Sequence, residues 1–62
     1  MANISEADVE VEAKTFITEH GDAACEAARA AAVEARNRGD EGLERFFAQV
    51  AVRIAERTGK HI

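Results

Sequence analysis

The sequence predicts an all-α protein, specifically a compact antiparallel three-helix bundle. Three observations predict it: the chain has no proline, its apolar residues recur at three- and four-residue intervals, and glycine divides it at Gly21, Gly39 and Gly59. An aspartate follows each of the first two glycines. Because glycine can close one helix and aspartate can cap the next, we expect two short turns between antiparallel neighbours.

Helix 1 is predicted over residues 6–20. Ser5 would be its N-cap, with Asp8 at the third helical position as an aspartate variant of the capping box. Ile4 and Val9 stand where a hydrophobic staple would pack. The expected inward residues are Val9, Ala13, Phe16, Ile17 and His20.

Helix 2 is predicted over residues 23–38 and consists mostly of alanine, which favours helix but contributes short side chains. Glu34 and Arg38 should form an ion pair on its outer surface, because they are four residues apart in the favourable order. The expected inward residues are Ala24, Ala27, Ala28, Ala31 and Ala35, flanked by Cys25 and Ala32.

Helix 3 is predicted over residues 41–58 and supplies most of the bulk of the core. Its large side chains should meet Val9, Phe16 and Ile17 of helix 1 across the thin alanine helix. The expected inward residues of helix 3 are Leu43, Phe46, Phe47, Val50, Ala51 and Ile54, which leaves Val11, Val33, Val52 and Ile62 pointing outward.

The length of 62 residues predicts a single domain, 1–62, with too little volume for a cofactor-binding fold. The lone cysteine, Cys25, excludes an internal disulfide, and the first ten residues lack the basic and apolar regions of a secretory signal. No apolar run approaches the length of a membrane span. We therefore expect a cytoplasmic protein.

The candidate chemical groups do not form a recognised catalytic or metal-binding set. His20 and Cys25 flank the first Gly-Asp turn, but two ligands are fewer than zinc requires. We expect His20 to be a partly buried residue at the end of helix 1 and Cys25 to be a small core residue. The sequence thus predicts no enzyme activity, cofactor or metal.

Acidic and basic residues are unevenly distributed along the chain. Residues 1–26 carry seven carboxylates and one lysine, or about −6, whereas residues 27–62 carry about +2, which together give the net charge of −4. Such an acidic surface disfavours direct DNA binding. An acidic surface usually serves only to keep a protein soluble. Closely spaced carboxylates can also imitate phosphates and bind a basic groove. The candidate partner-binding residues are Asp8, Glu12 and Glu19 on one flank of helix 1, then Glu6 and Glu10 on the other.

The segment from His20 to Ala24, followed by an alanine-rich helix and then by the segment from Gly39 to Gly42, resembles small uncharacterised helical proteins of proteobacteria. This resemblance covers about residues 16–57, and it implies the helical fold and a bacterial origin. In size, acidity and helical content the chain is also similar to anti-CRISPR proteins of phages and mobile elements. That similarity implies binding to a Cas protein and obstruction of its DNA site.

Together these observations predict a non-enzymatic protein that binds a protein partner with a basic surface, in its sharpest form an inhibitor that mimics DNA. The alternative is a structural or adaptor module that homodimerises through its outward valines, with the acidic face serving only solubility. In either case we expect no membrane association, and a monomer or weak homodimer in the absence of a partner.

Overall fold

The computed structural model describes residues 5–59, and all regular structure in that range is helical. Helix α1 spans Glu6–His20, a 3-10 turn spans Gly21–Ala23, α2 spans Ala24–Asn37 and α3 spans Glu41–Thr58. Helices α1 and α3 have the predicted bounds, and α2 is shorter than predicted by one residue at each end. The staple residue Ile4 and the outward Ile62 lie outside the described residues.

The turn between α2 and α3 follows the sequence prediction closely. Gly39 adopts a φ of 80°, its N–H donates to the Arg36 carbonyl at 2.9 Å, and the Asp40 N–H donates to the Ala35 carbonyl at 2.9 Å. These two bonds are the Schellman pattern that closes a helix. The Asp40 carboxylate then accepts a hydrogen bond from the Leu43 N–H at 3.1 Å, a cap that typically stabilises a helix by about 1 kcal/mol.

The turn between α1 and α2 differs from that prediction. Gly21 again has a positive φ, 55°, but its ψ of −122° lies outside the left-handed helical region. The chain continues into the 3-10 turn, so Asp22 lies inside that turn and the N-cap of α2 is Ala23. The N-cap position of α2 is therefore Ala23 and not the predicted Asp22, because the added turn moves the start of the helix by one residue.

The start of α1 also departs from the predicted capping box. Ser5 is the N-cap residue in extended conformation, but its side chain makes no cap hydrogen bond. The Ser5 carbonyl accepts from the Val9 N–H at 3.1 Å, so the main chain alone begins the helix.

All three helices contact one another. The α2 and α3 helices run antiparallel, since a tight turn joins them and the Cys25 thiol, near the start of α2, lies 3.7 Å from the Ala51 carbonyl. Helix α1 packs on both, and its Phe16 ring meets the Phe47 ring edge-on at 6.0 Å. The radius of gyration of 10.9 Å is close to the roughly 10.6 Å expected for a compact chain of this length.

The core is built from smaller side chains than the sequence suggests. The two largest fully buried residues are Ile54 and Val50, and Leu43, predicted to be inward, is 37% exposed. Leu43 lies in the first turn of α3, beyond Phe47 where α1 makes its ring contact. The continuous core consists of Val9, Ala13, Ala24, Ala28, Val50, Ala51 and Ile54, with Phe16, Ile17, Cys25 and Phe46 partly buried against it.

Candidate partner-binding surface

Two of the five predicted partner-binding carboxylates, Glu6 and Glu10, form ion pairs with arginines of α3. Glu10 Oε1 accepts from Arg53 Nη1 at 2.7 Å, and Glu10 Oε2 accepts from Arg57. Glu6 Oε1 lies 3.4 Å from Arg53 Nη2. Arg53 Nε is also 3.7 Å from Glu56 on its own helix. We call these five residues the α1–α3 ion cluster.

The α1–α3 ion cluster changes the electrostatic picture obtained from the sequence. Only 26% of the Glu10 side chain is exposed, compared with 89% for Glu6. The expectation that all of the acidic groups on α1 face solvent is therefore wrong for Glu10. The outward field of residues 1–26 is weaker than their formal charge of about −6 suggests, because Glu6 and Glu10 are paired with arginines of the same chain.

The sequence contained a signal for this cluster that charge counting alone misses. Glu6 and Glu10 are four residues apart on α1, and Arg53 and Arg57 are four residues apart on α3. Residues at this spacing share a face of a helix. Two such doublets of opposite charge on different helices can pair when the helices pack together.

The arginines also change the titration of Glu10. The hydrogen bond from Arg57, helped by the positive charges of Arg57 and Arg53, holds the pKa of Glu10 below its ordinary value, although desolvation acts in the opposite direction. A carboxyl group with a lowered pKa in the folded state binds fewer protons there than in the unfolded chain. Its stabilising contribution is therefore complete above its ordinary pKa of about 4.3 and is lost as the pH falls through the folded-state value.

Replacing Glu10 with glutamine should accordingly lower the thermal midpoint at neutral pH, because Arg57 loses its carboxylate partner and Arg53 keeps only Glu6 and Glu56. The difference from wild type should shrink as the pH falls below the ordinary carboxyl pKa and through the lowered pKa of Glu10 in the folded state, because the wild-type carboxyl then also becomes neutral. Thermal melts monitored by circular dichroism between about pH 3 and pH 7 measure this. The control is Glu12→Gln, since Glu12 forms no ion pair within residues 5–59. Equal differences at all pH values would contradict the assignment.

The other three predicted residues remain on the opposite flank of α1 from Glu6 and Glu10, and we call them the acidic stripe: Asp8, Glu12 and Glu19. Asp8 and Glu12 make no ion pair with another described residue, and Glu19 lies 4.0 Å from the neighbouring His20. At 1.5 Å per residue the stripe extends about 16 Å along the helix axis. Asp8 and Glu19 are exposed and Glu12 is partly buried.

His20 and Cys25 flank the first turn, where the sequence raised the question of a metal site. The His20 ring stacks on Phe16 with centroids 5.6 Å apart, and 41% of its side chain is exposed. His20 is thus more open than the partly buried position predicted for it. Cys25 packs against the core as expected. Within residues 5–59, no group of three or more histidine, cysteine, aspartate or glutamate side chains is arranged to hold a metal ion.

A comparison of the chain with protein-family models, curated proteins and solved structures finds no match. The resemblance to small proteobacterial proteins therefore stays a prediction, as does the similarity to anti-CRISPR proteins. Between Ser5 and Gly59, none of the helices combines the length and apolar character needed to cross a bilayer.

Proposed function

We propose that this chain is a non-enzymatic cytoplasmic binding domain, in which an antiparallel three-helix bundle presents the acidic stripe to a protein partner with a basic surface. The antiparallel pairing of α2 with α3 and the packing of α1 on both support the bundle. The stripe lies on a regular helix, so its carboxylates are held at fixed spacings. A rigid display of this kind loses little conformational entropy on binding.

The observation that carries the proposal is the division of the acids of α1 into two sets. Glu6 and Glu10 form ion pairs with Arg53, which link α1 to α3. Asp8 and Glu12 form no ion pair with any residue between 5 and 59. Charges without an intramolecular partner keep their full capacity to steer and bind a cationic surface.

In its sharpest form the proposal is an inhibitor. Carboxylates arranged along one flank of a rigid helix can occupy a groove that normally binds nucleic-acid phosphates, and they would do so in competition with DNA. The similarity in size and acidity to anti-CRISPR proteins suggests a Cas protein as one such target. Direct binding of this chain to nucleic acid is disfavoured, because the stripe would repel phosphates.

The test uses the full chain immobilised as bait in bacterial lysate. Proteins retained through the stripe should be released by added duplex DNA and by raised salt, because both compete with the same electrostatic contact. The triple variant Asp8→Asn, Glu12→Gln, Glu19→Gln should retain at least tenfold less of those proteins. This corresponds to a loss of about 1.4 kcal/mol or more in binding free energy.

The control is a second triple variant, Glu26→Gln, Glu34→Gln, Glu41→Gln, which removes three exposed charges elsewhere. Both variants have a formal net charge of −1, so a general charge effect would weaken them equally. Retention that is unchanged in the stripe variant, or lost equally in both, would reject the acidic stripe as the binding surface.

A further inference from the structure

The outer side of α3 carries an exposed valine between two grooves. Val52 is 54% exposed and lines both a groove between α2 and α3 and a groove between α1 and α3. The valine thus marks the centre of a continuous surface to which all three helices contribute. Neither groove is lined by a residue of the acidic stripe.

The groove between α2 and α3 is apolar with one positive charge. It encloses about 310 Å³ and is lined by Arg29, Ala32, Val33, Ala48, Ala51 and Val52. Val33 is 52% exposed. The three alanines leave a depression that an apolar side chain from another molecule can enter, while Arg29 is the charged residue of the lining.

The groove between α1 and α3 is smaller and more polar. It encloses about 170 Å³ and is lined by Glu6, Val9, Gln49, Val52, Arg53 and Glu56. Its two carboxylates and one guanidinium give a formal charge of −1, opposite to that of the first groove. The two sides of Val52 therefore differ in sign.

We propose that this surface is the interface of a homodimer, in which a two-fold axis runs along α3 close to Val52. Such an axis places the α2–α3 groove of one copy over the α1–α3 groove of the other, because a two-fold interface is self-complementary. Val52 then meets Val52 of the second copy. Arg29 of each copy then adds a third cation to the α1–α3 ion cluster of the other, in which three carboxylates are matched by only two arginines.

The charges also discriminate between the two ways of pairing the surface with itself. A two-fold axis perpendicular to α3 would place each groove over the same groove of the second molecule. The two Arg29 side chains would then lie close together. Facing like charges costs free energy. The arrangement along α3 avoids this repulsion and uses the opposite charges of the two grooves.

The small apolar side chains at the centre of the surface indicate a weak dimer. A standard interface buries about 800 Å² on each partner, which is about a fifth of the 4402 Å² accessible surface of this chain. The exposed apolar side chains at its centre, Val33 and Val52, are small. We therefore expect a dissociation constant in the micromolar range, with the monomer dominating in dilute solution.

Sedimentation equilibrium of the full chain from about 5 µM to 1 mM tests this. Wild type should change from monomer to dimer mass over that range, and Val52→Glu should raise the dissociation constant at least tenfold. The matched control is Val11→Glu, because Val11 is a helix-surface valine of similar exposure, 62%, and lines neither groove. Circular dichroism verifies that each variant is folded.

A charge exchange tests the orientation. Arg29→Glu and Glu56→Lys should each weaken self-association, because each brings like charges together across the axis. A mixture of the two variants should dimerise again, since both cross-contacts then join opposite charges.

A monomer mass for wild type at 1 mM would overturn the proposal. That result would also be obtained if a different protein covered this surface, so the homodimer would be rejected in that case too. Val11→Glu acting as strongly as Val52→Glu would also overturn it, as would a mixture of charge variants that stays monomeric.

Discussion

Substituting Ile54 with alanine is expected to remove a large part of the stability of the domain. Ile54 is 1% exposed and is one of the two largest fully buried side chains. Truncation of a buried isoleucine to alanine typically costs about 2 to 5 kcal/mol. A domain of this length is typically stable by only about 3 to 9 kcal/mol. Urea unfolding monitored by circular dichroism should show a midpoint well below that of wild type.

The control for that experiment is Val11→Ala, which also shortens an aliphatic side chain but at a position that is 62% exposed. A surface substitution of this kind should change the free energy of unfolding by less than about 0.5 kcal/mol. If the two variants unfolded at the same urea concentration, Ile54 would not be the central core residue that its burial indicates.

Replacing Ala28 with leucine should produce the second large effect. Ala28 is completely buried within the core cluster, where α2 lies close to its neighbours. The added carbon atoms can be accommodated only if the helices move apart, which typically costs about 1 to 3 kcal/mol. The thermal midpoint should fall sharply even though leucine is a good helix former.

The matched control is Ala30→Leu, two residues away on the exposed side of the same helix. Helix propensity changes by the same small amount at both positions, so the difference between the variants reports packing alone. A tolerated leucine at position 28 would mean that the alanines of α2 are present for helix propensity and not for close approach.

The sequence predicts the helices of this chain well because helix period and glycine stops are local properties. The bounds of α1 and α3 and the ion pair between Glu34 and Arg38, 3.3 Å in the structure, are all as expected. The predicted N-cap of α2 is wrong because two local structures, a glycine turn and a 3-10 turn, are both compatible with the first Gly-Asp dipeptide. There a 3-10 turn places Asp22 one residue before the N-cap of α2, whereas in the second Gly-Asp dipeptide Asp40 is itself the N-cap of α3.

The prediction of core residues was less successful because burial depends on neighbours from other helices. Periodicity places Leu43 on the same face as Ile54, yet one is 37% exposed and the other 1%. Helical phase specifies the direction of a side chain around its own axis, but it does not specify whether another helix covers that position.

The amino-acid sequence by itself determined the three α-helices, the bounds of α1 and α3, the positive φ at Gly39 and the excess of acid near the amino terminus. Only the tertiary structure decided which of those acids remain available to a partner. Glu10 and Asp8 each contribute one negative charge, and the sequence does not distinguish their roles. The orientation of α1 about its axis directs Glu10 towards Arg53 and Arg57 and directs Asp8 away from α3. The physical reason is that an ion pair requires two groups within a few ångströms, and packing between helices sets that distance.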